Sequence, residues 1–327
     1  MIIGAGRRTG RRLLSMIAAL AVILPLAACS GDDADTGSTS ASAAAAKRPV
    51  RIAINPWVGY EASAAVVAYL LKHELGYQVE YKELSEPDSW KGFEEGTVDV
   101  IIENWGHEAE KKTYIEQKKV AVSAGTNGNI GVIGWYVPQW MVEKYPDITD
   151  WRNLNKYASL FRTAKSDGKG QLLDGDPTYV TNDEALVKNL KLDYKVVYSG
   201  SENALIAAAR RATRNKTPLL MYFYEPQWLF TQLKLVKVNL PPYAIGCDAD
   251  TKKVACDYPP YLLDKIVSAD FAKNGGRAYE LVRNFNWTND DQNAVANDIV
   301  NNRLTPEQAA KKWVEANKIV WQDWIPQ

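Results

Sequence analysis

Short apolar runs alternate with helix-period stretches along most of this chain. V-R-I-A-I-N (50–55) is a β-branched run that Pro56 and Gly59 end. Residues 61–75 follow with Val67, Leu71 and Leu75 at i, i+4 and i+8 beside Leu70, the period of an amphipathic helix, and Gly76 closes it. Y-Q-V-E-Y-K-E-L (77–84) alternates as a strand and completes a β-α-β unit. V-D-V-I-I-E-N (98–104) and G-V-I-G-W-Y-V-P (131–138) begin two more strands. Further on, K-V-V-Y (195–198), P-L-L-M-Y-F-Y (218–224) and V-K-V-N-L (236–240) read as strands, the last ended by Pro241 and Pro242. Helices come between them. Thr181 and Glu184 have the spacing of a capping box, and Ser201 caps the stretch 201–212. The last third reads as helical, with caps at Thr288 and at Thr305, the latter followed by Pro306 at N1 and Gln308 at N3. This order predicts an α/β fold with a largely parallel sheet.

Roughly 280 residues of patterned chain exceed one typical core and suit two lobes. Residues 48–128 with 241–327 are expected to form lobe I and 129–240 lobe II, joined by crossovers near Asn129 and Leu240. No internal repeat is visible.

The first residues read as a processing signal. Arg7, Arg8, Arg11 and Arg12 precede an apolar run, 13–28, that closes on L-A-A-C. A positive start, a short apolar run and small residues at its end define a secretory leader, 1–28, and the run is shorter than the ~20 residues of a spanning helix. Cys29 directly after that site resembles the lipobox cysteine of bacterial lipoproteins, which is acylated. The polar, small-residue tract 29–47 then reads as a flexible tether. These features place the chain outside the cytoplasm, anchored to the membrane by lipid. Of 39 basic side chains four lie in the leader, leaving 35 against 39 acidic, and no basic block argues for nucleic acid. With Cys29 assigned to the lipid, Cys247 and Cys256 remain as an exported pair and read as a disulfide. A metal site there fails on ligand count.

Ligands of open α/β sheets bind beyond the carboxyl ends of strands. Those positions hold Trp57, Tyr60 and Glu61; Trp105, His107 and Glu108; Asp176 and Tyr179; and Tyr224 with Glu225. One aromatic side chain after a strand is usually packing. Four strand ends that each deliver one suggest aromatic faces around a shared crevice, the arrangement that attracts a quaternary ammonium through ring quadrupoles. At ~1–2 kcal/mol per desolvated face, three or four walls supply several kcal/mol toward the ~8 kcal/mol of micromolar capture, so a second handle is expected. The N–H groups at the start of the helix from Thr181 would suit a carboxylate.

The segments V-D-V-I-I-E-N-W, D-P-T-Y-V-T, M-Y-F-Y-E-P-Q-W and A-A-K-K-W-V, in this order over nearly all of the folded part, resemble the glycine betaine/proline betaine-binding proteins of ABC importers. The resemblance implies a type II two-lobed clamp of the periplasmic-binding-protein kind, each lobe a mostly parallel sheet flanked by helices. It also implies a ligand head boxed by aromatic rings, with Trp105, Tyr179 and Tyr224 at the three box positions; the last two stand where tryptophan is usual. The backbone N–H groups of Val180 and Thr181 match those that hold the ligand carboxylate. His107 stands near the assisting histidine but two residues closer to the first box tryptophan. Trp57 is added by position alone, and Glu61 and Asp176 as possible rim acids.

The implied function is capture of glycine betaine or a related quaternary amine by a monomer that closes about its hinge and docks on an ABC permease, with no cofactor and no metal. The alternatives are a choline- or carnitine-type cation binder of the same fold, a sensor that looks identical in sequence, or an exported carbohydrate-active enzyme. Against an enzyme, the chain has only His73 and His107 as histidines and lacks a G-x-S-x-G elbow, a P-loop and H-E-x-x-H.

Overall fold

The runs at 50–54 and 100–104 become buried strands, whereas the alternating run at 79–83 forms a half-exposed strand beside the first. The computed structural model describes residues 48–327; the predicted leader 1–28, the tether 29–47 and Cys29 lie outside the described residues. Strands β1 (Val50–Ile54), β2 (Val79–Glu83) and β3 (Val100–Asn104) pair in parallel in the order β2-β1-β3. A second parallel group joins β5 (Gly170–Asp174), β6 (Tyr194–Tyr198) and β7 (Met221–Glu225) in the order β7-β5-β6. The fold is thus of the type II periplasmic-binding-protein kind, its two parallel groups joined in one nine-stranded mixed sheet with flanking helices.

Two long antiparallel strands link the groups. β4 (Ala121–Pro138) runs beside β9 (Pro260–Ser268) from Ala121↔Ser268 to Val132↔Pro260, then continues along β7 as far as Tyr136↔Met221. β9 also pairs with β3, and the short strand β8 (Leu235–Lys237) pairs with β4. The register of β4 slips twice between Ser123 and Ile130. Gly128 lies there with φ +95°, and an added Cβ would fall 2.1 Å from the Trp287 carbonyl oxygen. Only glycine fits a left-handed position pressed against backbone. β9 departs from the helical reading of the last third. Pro259 and Pro260 at its start, and Asp264 and Lys265 inside it, disguise the strand; Lys265 is buried and donates to the carbonyls of Arg283 and Phe285.

Helix α1 (Val58–His73) is mostly small or apolar, and that allows it to pack closely on the sheet and on the helices Asn289–Val300 and Pro306–Ala316. Thr288 and Thr305 close capping boxes on those two helices, and Ser201 caps the helix Glu202–Asn215. Thr181 differs. The helix after it begins at Asp183 with Asn182 as its cap, and the Thr181 hydroxyl donates to Asp174 Oδ2 at 3.2 Å instead.

Residues 243–258 hydrogen-bond to the second group: Asn189 donates to the Val254 carbonyl, Lys237 pairs with Asp257, and Tyr258 donates to Asp183. Cys247 and Cys256 are joined there in a disulfide. Closing so short a loop contributes about 2–3 kcal/mol in the chain-entropy view. Reduction of the native protein is therefore expected to lower its Tm measurably. A melting curve that does not shift while both thiols titrate as free contradicts that expectation. Among the described residues no helix is long and apolar enough to cross a membrane.

Candidate functional site

The carboxyl ends of β1, β3, β5 and β7 converge, and each brings an aromatic ring. Trp57 follows β1 as the extended residue before α1. Trp105 follows β3, Tyr179 follows β5 by five residues, and Tyr222 and Tyr224 share one face of β7 because side chains alternate along a strand. Tyr261 comes from β9. These six rings, with Ile133, Val180, Glu86 and His107, line a cavity of about 40 Å³, room for on the order of three waters. The space is far too small for a sugar chain.

Two of the ring pairs, Trp57–Tyr179 and Trp105–Tyr224, meet edge to face, a geometry their quadrupoles favour, and the others are tilted. Trp105 lies 5.7 Å from Tyr224 and 5.9 Å from Tyr261 between centroids, and Trp57 lies 5.8 Å from Tyr179. Tyr222 bridges Tyr179 and Tyr224 at 6.3 and 6.0 Å. Trp105 also rests on Gly131 of β4, where a Cβ would come within 2.5 Å of the indole. A side chain at 131 would push this wall into the cavity.

Buried carboxylates hold the rings in place. Glu103, at the end of β3, accepts from Trp57 Nε1 at 2.9 Å, Trp105 Nε1 at 3.0 Å and Ser63 Oγ at 3.0 Å. Glu202, at the start of its helix, accepts from Tyr224 Oη at 2.6 Å, Gln227 Nε2 at 2.5 Å and the Val58 backbone N–H at 3.0 Å. Burial raises the pKa of both, and the donors pull each back toward ionisation. Behind the aromatic walls stand acids, and among the described residues no lysine or arginine lines the cavity. That field favours a cation.

The polar end of the cavity is built by Glu86 and His107, with side chains 9% and 6% exposed. Gly106 and His107 both take left-handed φ, 83° and 54°, which tightens the turn after β3. Asn104 uses its amide N–H groups on the Gly106 carbonyl and on Asp264, so its oxygen faces His107 Nδ1 at 2.9 Å and accepts from it. That fixes the proton on Nδ1 and leaves Nε2 a bare acceptor, buried without a hydrogen-bond partner and 3.6 Å from Glu86 Oε1. Burial, with Lys111 nearby, lowers the His107 pKa to about 4, so the ring is neutral. Burial raises Glu86 to about 7, partly offset by the backbone N–H of Val180, which donates to its Oε2 at 3.1 Å.

The structure brings Trp57, Trp105, His107, Tyr179, Val180 and Tyr224 to one cavity. The expected carboxylate handle is arranged differently. The Val180 N–H is occupied by Glu86, Thr181 does not line the cavity, and the helix whose N–H groups would serve starts two residues later. Glu61 and Asp176 sit on a separate outer crevice that also touches Trp57 and Glu202. Glu108 is exposed and pairs with Lys111. Tyr222, Tyr261 and Glu86 are the site residues that strand-end reading misses. The alternation M-Y-F-Y-E carried a signal for Tyr222; nothing local distinguished the other two.

The family described as the substrate binding domain of ABC-type glycine betaine transport systems, OpuAC, matches residues 48–316 of this chain. The chain is 27% identical over 290 residues to a trimethylamine N-oxide-binding protein of Pelagibacter ubique (strain HTCC1062), covering 86% of this chain and 91% of that one. Among solved structures, lactococcal OpuAC, closed and complexed with glycine betaine, superposes with a TM-score of 0.68 at 24% identity, over 85% of this chain and 99% of that one. An ABC-transporter choline binding protein in complex with choline gives 0.69 at 20% identity, over 84% and 91%. At these identities the two structures establish the fold.

Proposed function

Because the chain belongs to the family of substrate-binding domains of ABC-type glycine betaine transport systems, we propose that its aromatic cavity captures a small methylated ammonium compound and delivers it to an ABC permease. The family is one of extracytoplasmic substrate-binding components, not an enzyme class. The observation that carries the ligand class is the cavity wall: six aromatic rings, three of them oriented by buried carboxylates, with no lysine or arginine beside them among the described residues. A quaternary or fully methylated nitrogen spreads its charge over methyl groups, so ring faces attract it without owing it hydrogen bonds. A primary amine loses water contacts that the rings do not replace. Glycine betaine, choline and trimethylamine N-oxide, the compounds named for relatives and structural neighbours, share that methylated nitrogen.

Capture proceeds by closure of the two lobes about a hinge. Three hydrogen bonds that bridge the halves describe the closed cleft: Val58 N–H to Glu202, Tyr179 Oη to the Pro56 carbonyl at 3.0 Å, and Val180 N–H to Glu86. We place the crossovers along β4 near Gly128 and along β9, later in the chain than Leu240. Thermal-shift and calorimetric titration against methylated amines, their unmethylated counterparts and sugars tests this function. A ligand recovered chemically unchanged supports a binder; turnover of a sugar contradicts it.

The same reading includes a lipid anchor on Cys29 after removal of the leader. Cys29→Ser should abolish acylation, because the thiol is the acyl acceptor. Mass spectrometry of membrane and soluble fractions checks this. A variant that keeps the acyl mass of the wild type contradicts the anchor.

A further inference from the structure

The polar end of the cavity carries chemistry that the aromatic cage does not explain. Glu86 belongs to the helix Glu86–Glu94, on the first half of the molecule, yet its carboxyl reaches the Val180 backbone N–H on the second. That N–H belongs to the segment D-P-T-Y-V-T, where a ligand carboxylate was expected to be received. A carboxylate of the protein's own now occupies it. Beside it, His107 offers only a bare Nε2 lone pair, and its neutral ring supplies no positive charge.

From this juxtaposition we infer that the site selects methylated amines that lack a carboxylate, with Glu86 as the specificity-determining residue. The inference rests on the cage reading above and deepens it. A ligand carboxylate entering this end is repelled by Glu86 in its ionised form, meets at His107 a lone pair that offers it no donor, and finds the Val180 N–H taken. A like-charge contact without a compensating donor is an effective device for rejecting one ligand among several. A small tail behaves differently. A hydroxyl donates to Glu86 or to His107 Nε2, and an N-oxide oxygen accepts from Glu86 in its protonated form. With its pKa raised to about 7, the Glu86 carboxyl has both forms within reach near neutrality. Choline and trimethylamine N-oxide represent these two tails; glycine betaine represents the excluded class.

The test is titration calorimetry on the full chain, purified in mild detergent, with tetramethylammonium, choline, trimethylamine N-oxide and glycine betaine. Tetramethylammonium reads the cage alone. At least one of choline and trimethylamine N-oxide is expected to bind the wild type about tenfold or more tighter than glycine betaine. Glu86→Gln removes the charge but keeps the shape, and Glu86→Ala also frees the Val180 N–H. Each should narrow that ratio at least severalfold, mainly by improving betaine. Two results overturn the assignment of Glu86 while leaving the cage standing: betaine binding as tightly as both other ligands, or a ratio that neither variant changes. If tetramethylammonium and all three other ligands fail to bind, the cage fails, and this inference with it.

Discussion

Replacing Trp105 by alanine is expected to weaken methylated-amine binding by roughly 30-fold or more, about 2 kcal/mol. The indole is the wall most completely held. Glu103 fixes its Nε1, Gly131 lies beneath it, Tyr224 meets it edge to face and Tyr261 at a tilt. A ring fixed in this way has little orientational freedom left to lose when the cation arrives. Its electrostatic attraction therefore passes almost whole into affinity. Alanine removes that face and admits water to the cavity. Trp105→Phe should lose less, because a ring face remains while the bond to Glu103 goes. Calorimetry with choline on both variants, alongside circular dichroism to verify the fold, reads the effect. Wild-type affinity in a folded Trp105→Ala protein would leave the cage without its main wall and refute its role.

Removing the carboxylate behind the cage is expected to cost both stability and binding. Glu103→Ala leaves the indole N–H groups of Trp57 and Trp105 without their acceptor, while the Ser63 hydroxyl keeps the Gly59 carbonyl. Unsatisfied buried donors cost about 1–3 kcal/mol each, and partial repair by water brings the expected loss to about 3 kcal/mol. For a domain of this size that corresponds to a fall in Tm of roughly 5–8 °C. Binding should fall further than stability alone implies, because two walls lose their orientation together. Glu103→Gln keeps an acceptor and the shape, so it should melt closer to wild type. Scanning calorimetry with and without choline separates the two effects. A Glu103→Ala protein that melts and binds like wild type would show that the indoles are held by packing alone.

Much of this was legible from the residues, and the gaps have physical causes. The β-α-β order, the caps at Ser201, Thr288 and Thr305, and four of the six aromatic walls are local signals, carried by a few adjacent residues each. Tyr222 lies inside β7, so attention to strand ends alone passes over it even though it shares a face with Tyr224. Tyr261 belongs to β9, whose alternation is broken by Lys265, a lysine buried because two backbone carbonyls receive its ammonium group. Thr181 has the right spacing for a capping box, yet tertiary structure brings Asp174 closer to its hydroxyl. Glu86 is the hardest case. In sequence it is an acid at the start of a helix, where the helix dipole alone accounts for it. Its meeting with Val180, 94 positions away, exists only once the two halves come together.

Titration calorimetry with choline and ethanolamine, which differ only in the methyl groups on nitrogen, tests the central claim most directly. The aromatic cage predicts micromolar binding of choline, about −8 kcal/mol, and binding of ethanolamine weaker by two orders of magnitude or more, because the primary ammonium forfeits its water without a hydrogen-bonding replacement. Equal affinities for the two compounds, or tighter binding of ethanolamine, would contradict capture by aromatic faces.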